Sequence, residues 1–317
     1  MPFEIIRGDI TEIKADSIVN TANPNPVIGS GVDAGIHKKA GGKLLEARKK
    51  IGPIAVGQAA VTRAYDLDAK FVIHAVGPVW EGGGRDEEAL LRQCYDNALA
   101  LAAKKRCKSV AFPLLSAGNY GFPKAVALHI AINAFSAFLM DHEMRIILVV
   151  FDRDAFALSE KLFRSVRSYI DEHYVREKLW EEYTAATIRP MAYAAASLED
   201  MLQKTDAGFS ETLLKLIDRT GKKDAEIYKK ANIDRKLFSK IRGNPAYKPS
   251  KATALAFAIA LELDLNETRD FIGRAGYALT HSSKFDIIVE YFILQKNYNV
   301  MELNETLFAF DQPLIGA

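Results

Sequence analysis

The chain of 317 residues has only two cysteines, Cys94 and Cys107. They have neither CxxC spacing nor a neighbouring histidine, which argues against a structural zinc and against a disulfide framework. A reducing cytoplasm fits that usage. Excess charge of either sign is also lacking: 42 Lys and Arg against 40 Asp and Glu leave +2. The global balance therefore names no partner, and any nucleic-acid signal must lie in local clustering. No apolar run approaches the ~20 residues of a membrane span. The opening "MPFEIIRGDITEIKADSIVN" puts charges where a signal peptide needs an apolar core. A cytoplasmic protein without membrane contact is the expectation. No GxxxxGK[ST] is present, which disfavours a P-loop nucleotidase, and no internal repeat is visible.

What is present is enough apolar sequence, 49%, for a sizeable core and two domains. In the first half, strand-like runs ("FEIIRGDI", "SIVNTA", "AAVTRAY", "KFVIHAVGP", "SVAFPLL", "RIILVVFD") alternate with helical patterns ("EEALLRQCYDNALALAAKK", "KAVALHIAINAFSAFLM"). That alternation predicts an α/β layered domain with a largely parallel sheet. The continuous apolar run "RIILVV" belongs inside such a sheet. Near Ala155 the pattern turns helical, and "TAATIRPMAYAAASLEDMLQKTDAGF" reads as a looser connection. From Ser210 onward no strand is convincing. The expected organisation is an α/β domain over 1–175, a helical extension and linker over 176–207, and an all-α domain over 208–317.

Two glycine-bearing loops stand where the sheet pattern ends. Gly29-Ser30-Gly31 precedes a helix starting at Val32, and Ser116 to Gly121, "SAGNYG", follows the strand "SVAFPLL". Backbone N–H groups beside a helix start can cradle an anion, and ligands of open α/β sheets sit at the carboxyl ends of strands. Two such loops could bracket a diphosphate; each alone reads equally well as an ordinary turn. Asp33 and His37 are four residues apart and would share one face of the helix, with Asn23 at the end of the preceding strand. The alternative has Asp33 as a helix-start charge and His37 as a half-buried surface residue.

In order and spacing, "GDIT", "ADSIVNTAN", "GSGVDAGIHKKAGG", "FVIHAVGP" and "AFPLLSAGNYGFP" resemble the macrodomain, an ADP-ribose-binding α/β/α fold. The resemblance runs from about residue 3 to 170. The Asn23, Asp33, His37 set is similar to the MacroD type of ADP-ribosyl hydrolase. It implies Asn23 on the distal ribose, Asp33 as the catalytic aspartate and His37 as the residue that orders it. It implies Asp9 and Ile10 at the adenine, and Gly29, Ser30, Gly31 and Val32 as the first phosphate loop. Ser116, Ala117, Gly118, Asn119, Tyr120 and Gly121 would be the second, with Tyr120 against the distal ribose and Phe151 packing on adenine. His74 resembles a fold position. The family usually has four consecutive glycines where this chain has Ile28-Gly29-Ser30-Gly31, and "NPNPV" brings two prolines to the loop. The implied activity is metal-independent removal of mono-ADP-ribose from acidic residues, or deacetylation of O-acetyl-ADP-ribose. No cofactor is implied; ADP-ribose enters as ligand or product. The other implied class is a non-catalytic ADP-ribose sensor that controls the helical domain.

The second half resembles the lambda-repressor-like helix-turn-helix family over about 70 residues, with five short helices from Glu211 to Tyr277 and the motif "DAEIYKKANIDRKLFSKIR". Its second helix presents Arg235, Lys236, Ser239, Lys240 and Arg242. From Arg219 to Lys251 there are eleven Lys or Arg against Asp224, Glu226 and Asp234, the electrostatic footprint expected for duplex DNA. A solvated basic face, an RNA or an acidic protein partner are the alternatives. The apolar run "IIVEYFIL" is the candidate contact for a homodimer.

Overall fold

The computed structural model describes residues 2–151, 165–171 and 207–316. Close packing divides the chain into two units, Met1–Ala157 and Leu158–Ala317.

All six strands read from the sequence form: β1 (Phe3–Arg7), β2 (Ser17–Thr21), β3 (Ala59–Arg63), β4 (Phe71–Ala75), β5 (Ser109–Pro113) and β6 (Arg145–Val150). They make one sheet in the order β1-β6-β5-β2-β4-β3. Only β3, at the edge, runs antiparallel to its neighbour β4. The apolar run of β6 lies between β1 and β5, where both faces are covered.

Helices cover each face. On one side α1 (Val32–Ala40) and α2 (Gly42–Ile51) pack Ile36, Ala40 and Leu44 onto Ile18, Val72, Ala111 and Ile147. The sequence pattern did not separate these two helices; Gly41, at φ 78°, makes the break. A left-handed residue there ends one helix without steric cost. On the other side lie α3 (Glu87–Lys104) and α4 (Lys124–Asp141). Phe135 of α4 meets Phe3, Tyr95 and Phe112 at ring separations of 4.9–5.7 Å. Among the described helices α4 alone is long and apolar enough to cross a membrane; its apolar side chains fill this layer instead.

The second unit contains α5 (Phe209–Thr220), α6 (Asp224–Lys230), α7 (Arg235–Gly243), α8 (Lys251–Ala260), α9 (Leu265–Gly273), α10 (Lys284–Leu294) and α11 (Val300–Ala309). The five helices expected between 211 and 277 are α5 to α9. Every residue of α8 from Thr253 to Ala260 is buried, so α8 is the centre around which the others pack. The helical stretch 165–171 adds Val166 and Ile170 to this core. That places these residues with the helical unit, not with an α/β domain extending to 175. The expected linker over 176–207 lies outside the described residues. The run Ile287 to Leu294, expected as a dimer contact, is core of its own unit: Ile287, Ile288, Val289 and Phe292 are buried. The physical reason is that α10 is apolar around most of its circumference, the signature of a buried helix.

Candidate active site

Five parallel strands point their carboxyl ends toward one edge of the sheet. From the central β2 the chain runs outward to β3 and β4, then crosses back to β5 on the other side of β2. At such a reversal the loops diverge and leave a crevice. A cleft of about 620 Å³ opens there, walled by residues that follow β1, β2, β4, β5 and β6.

The first glycine loop and the start of α1 form one wall. Gly31, at φ 60°, turns the chain into the helix. Asp33, in the first turn, is 3% exposed. Its Oδ1 accepts from Asn20 Nδ2 at 2.6 Å and its Oδ2 from the Gly29 N–H at 2.5 Å. His37 Nε2 lies 3.6 Å from Oδ1. Burial holds the His37 imidazole below its ordinary pKa, against the opposing pull of Asp33. His37 sits behind the carboxylate and does not line the cleft. Asn23 donates to Val27 O at 3.2 Å and accepts from the Tyr120 hydroxyl at 3.1 Å. At Gly29 a Cβ would stand 2.8 Å from Asn23 Nδ2 and 3.5 Å from Asp33 Oδ2.

The second loop is held from below. The Leu115 N–H donates to Tyr95 Oη at 2.9 Å, and the Trp80 N–H to Tyr120 O at 2.8 Å. Ser116 adopts φ 61°, rare for a residue with a side chain. Its buried hydroxyl lacks a partner among the described residues and lies where a Cβ on Gly77 would be. Asn119 donates to Ser30 Oγ, joining the two loops. At the far end Asp9 caps a 3-10 turn, its Oδ1 accepting from Thr11 N–H at 2.8 Å. Phe151, 81% exposed, lines the rim after β6.

The cleft thus brings together Asp9, Ile10, Asn23, Gly29, Ser30, Gly31, Val32, Asp33, Ser116, Ala117, Gly118, Asn119, Tyr120 and Phe151. His37 and Gly121 are outside its wall; Gly121 closes a turn onto Gly118 O at 2.9 Å. Sequence reading missed Asn20 and Arg48. Arg48, 2% exposed, donates to the carbonyls of Asn23, Pro24 and Gly52 and so fastens the Asn23 loop. An asparagine inside the apolar run "SIVNTA" was the available signal for Asn20, since a buried amide needs partners.

In the helical unit, α7 turns Phe238 and Ile241 inward. Arg235, Lys236, Ser239, Lys240 and Arg242 are all exposed. Arg242 pairs with Asp224, and Ser239 Oγ donates to Arg235 O at 2.8 Å.

The Macro domain family matches residues 19–131. The O-acetyl-ADP-ribose deacetylase of Enterobacter sp. (strain 638) is 46% identical over 166 residues, 50% of this chain and 92% of the relative. The protein of that name from Escherichia coli (strain K12) is 43% identical over 166 residues, 50% of this chain and 94% of the relative. A solved structure, the Oceanobacillus iheyensis macrodomain with ADP, shares 34% identity over 52% of this chain and 92% of that chain, with a TM-score of 0.48. Residues 19–131 lie inside the α/β unit, and by that unit the chain belongs to the macro domain family.

Proposed function

We propose that the α/β unit binds ADP-ribose and hydrolyses esters of its distal ribose. The substrates are O-acetyl-ADP-ribose and mono-ADP-ribose joined to an Asp or Glu side chain. The observation that carries this reading is the point at Gly29 where the Asn23 amide and the Asp33 carboxylate converge, on the cleft wall between two amide-bearing loops. The deacetylase name of the relatives supports the first substrate.

In this reading the loop N–H groups hold the diphosphate, Asp9 and Phe151 hold the adenine, and Asn23 with Tyr120 orients the distal ribose. Water adds to the ester carbonyl and the acyl–oxygen bond breaks. Asp33 takes the proton from water and passes it to the departing ribose oxygen. The products are a ribose hydroxyl and a carboxylic acid, which then gives its proton to solvent. Positioning and general-base catalysis supply the acceleration, and no metal is needed. Asp33→Ala should slow ester hydrolysis by roughly 100- to 10,000-fold while calorimetry still detects ADP-ribose binding. Asp9→Ala should instead weaken binding by roughly 1.5–3 kcal/mol, the range for a hydrogen bond to a charged group. A wild type that binds ADP-ribose but releases no acetate or ADP-ribose would leave the sensor reading.

A second reading concerns the helical unit: docking on duplex DNA through α7. It is favoured by the outward face of Arg235, Lys236, Ser239 and Lys240, opposite buried Phe238 and Ile241. Each neutralised phosphate gives a salt slope of about −0.9 on duplex DNA. The full chain should bind random duplexes with steep salt dependence, and Arg235→Ala with Lys240→Ala should lower both affinity and slope. Binding only to RNA, or to no nucleic acid at low salt, would sink this reading.

A further inference from the structure

Asp33 is the end of a buried polar chain that crosses the sheet from its antiparallel edge. Asn20 on β2 stands opposite His74 on β4, and His74 reaches Thr62 on β3. Thr62 Oγ1 lies 3.0 Å from His74 Nε2, His74 Nδ1 lies 3.3 Å from Asn20 Nδ2, and the same amide nitrogen donates to Asp33 Oδ1 at 2.6 Å. Asn20 and His74 are fully buried. An amide nitrogen carries two protons and accepts nothing, so both protons of Asn20 are committed, one to each neighbour. His74 Nδ1 must then be the nitrogen with the lone pair. Nε2 carries the ring proton and donates it to Thr62. Reversing the Asn20 amide would set its oxygen against a carboxylate in a dry interior, where an unpaired polar contact is costly.

We infer that His74 and Thr62 are positioning residues: through Asn20 they fix Oδ1 of Asp33 and leave Oδ2, beside Gly29, as the proton acceptor in ester hydrolysis. The inference rests on the hydrolase reading. It gives β3, remote from the cleft wall, a share in aiming the carboxylate. Burial, with Arg48 and His37 nearby, holds His74 at a pKa of about 3, so the relay stays neutral through the working range. The other titratable groups that act on Asp33 are His37 of α1, Arg48 of α2 and Tyr120 of the second loop.

Two readouts on the full chain test it. The first is independent of catalysis. Nitrogen NMR of histidine-labelled protein should show His74 with a proton on Nε2 and none on Nδ1 from pH 8 to 5. A proton on Nδ1, or titration near pH 6.5, would overturn the relay. The second is kinetic. Thr62→Val removes one hydroxyl, and His74→Leu removes the acceptor toward Asn20. Each should lower kcat by roughly 10- to 100-fold, as small misplacements do, with KM and ADP-ribose affinity nearly unchanged. His74→Asn, whose amide oxygen can replace Nδ1, should recover part of kcat. Folded Thr62→Val and His74→Leu proteins with wild-type kcat would overturn the positioning role. A wild type that hydrolyses no ester would remove the hydrolase reading and the catalytic half of this inference. The tautomer would then still decide whether the chain clamps Asp33.

Discussion

His74 carries a stability cost that grows as pH falls. Its folded pKa, about 3, lies below the ordinary histidine value of 6.5. Between those values the unfolded chain binds the extra proton, so stability is complete above pH 6.5 and is lost as pH falls toward 3. From pH 6.5 to 5 the loss attributable to His74 is on the order of 2 kcal/mol. Denaturant unfolding of wild type beside His74→Asn should show it: the variant loses less stability over that interval. Glycine 29 answers to a different constraint. Gly29→Ala would push a methyl toward Asn23 Nδ2, so hydrolysis should fall by about tenfold or more, the effect of moving a positioned group. Single-turnover rates check this. Asp33 and Asn23 were legible in sequence because helical spacing and a strand end place them within one short stretch. Asn20 and His74 are 54 residues apart, and only strand register brings them together.

The Asn23 loop depends on a neighbouring element. Arg48 sits on α2, yet its guanidinium ties down the carbonyls of Asn23 and Pro24 on one side and of Gly52 on the other. Removing it takes a charged donor from three part-buried carbonyls, of which Pro24 O keeps the Ile54 N–H; a hydrogen bond to a charged group is worth about 1.5–3 kcal/mol. Arg48→Met should therefore lower unfolding stability by at least that amount and weaken ADP-ribose binding as the loop loosens. Arg48→Lys should rescue little, because a single ammonium cannot fork across three carbonyls. Thermal shift with and without ADP-ribose separates the two effects. In the sequence Arg48 stands in "EARKK", a charge run that reads as a solvated face. The strands were easier: each apolar run was short and most carried several β-branched residues, so existence and type could be read directly. The break at Gly41 was hidden because apolar spacing continues through it.

Each unit has its own core. A cavity made in the helical core should therefore leave the cleft intact. Ile288→Ala should destabilise the helical unit by about 2–5 kcal/mol, with ADP-ribose affinity by calorimetry unchanged. Unfolding should then separate into two transitions, and no single unfolding free energy would describe the molecule. A matching loss of ADP-ribose binding would show that the units do not stand alone. At this scale sequence pattern located the change from α/β to all-α. It did not locate the packing partner of residues 165–171, whose helical pattern fits either side; burial of Val166 and Ile170 decides it.

Gly77 and Ser116 occupy nearly the same space: the hydroxyl of one fills the volume that a methyl on the other would need. Sequence drift at these sites is therefore coupled. A chain that acquires Gly77→Ala has to evict the Ser116 hydroxyl from a pocket already committed to a left-handed backbone. The change Ser116→Gly gives up that hydroxyl and keeps the turn without strain. In a library randomised at both positions and selected for ADP-ribose capture, Gly77→Ala should be recovered together with Ser116→Gly. It should be depleted wherever Ser116 is retained, so that a substitution harmless in one genetic background fails in the other.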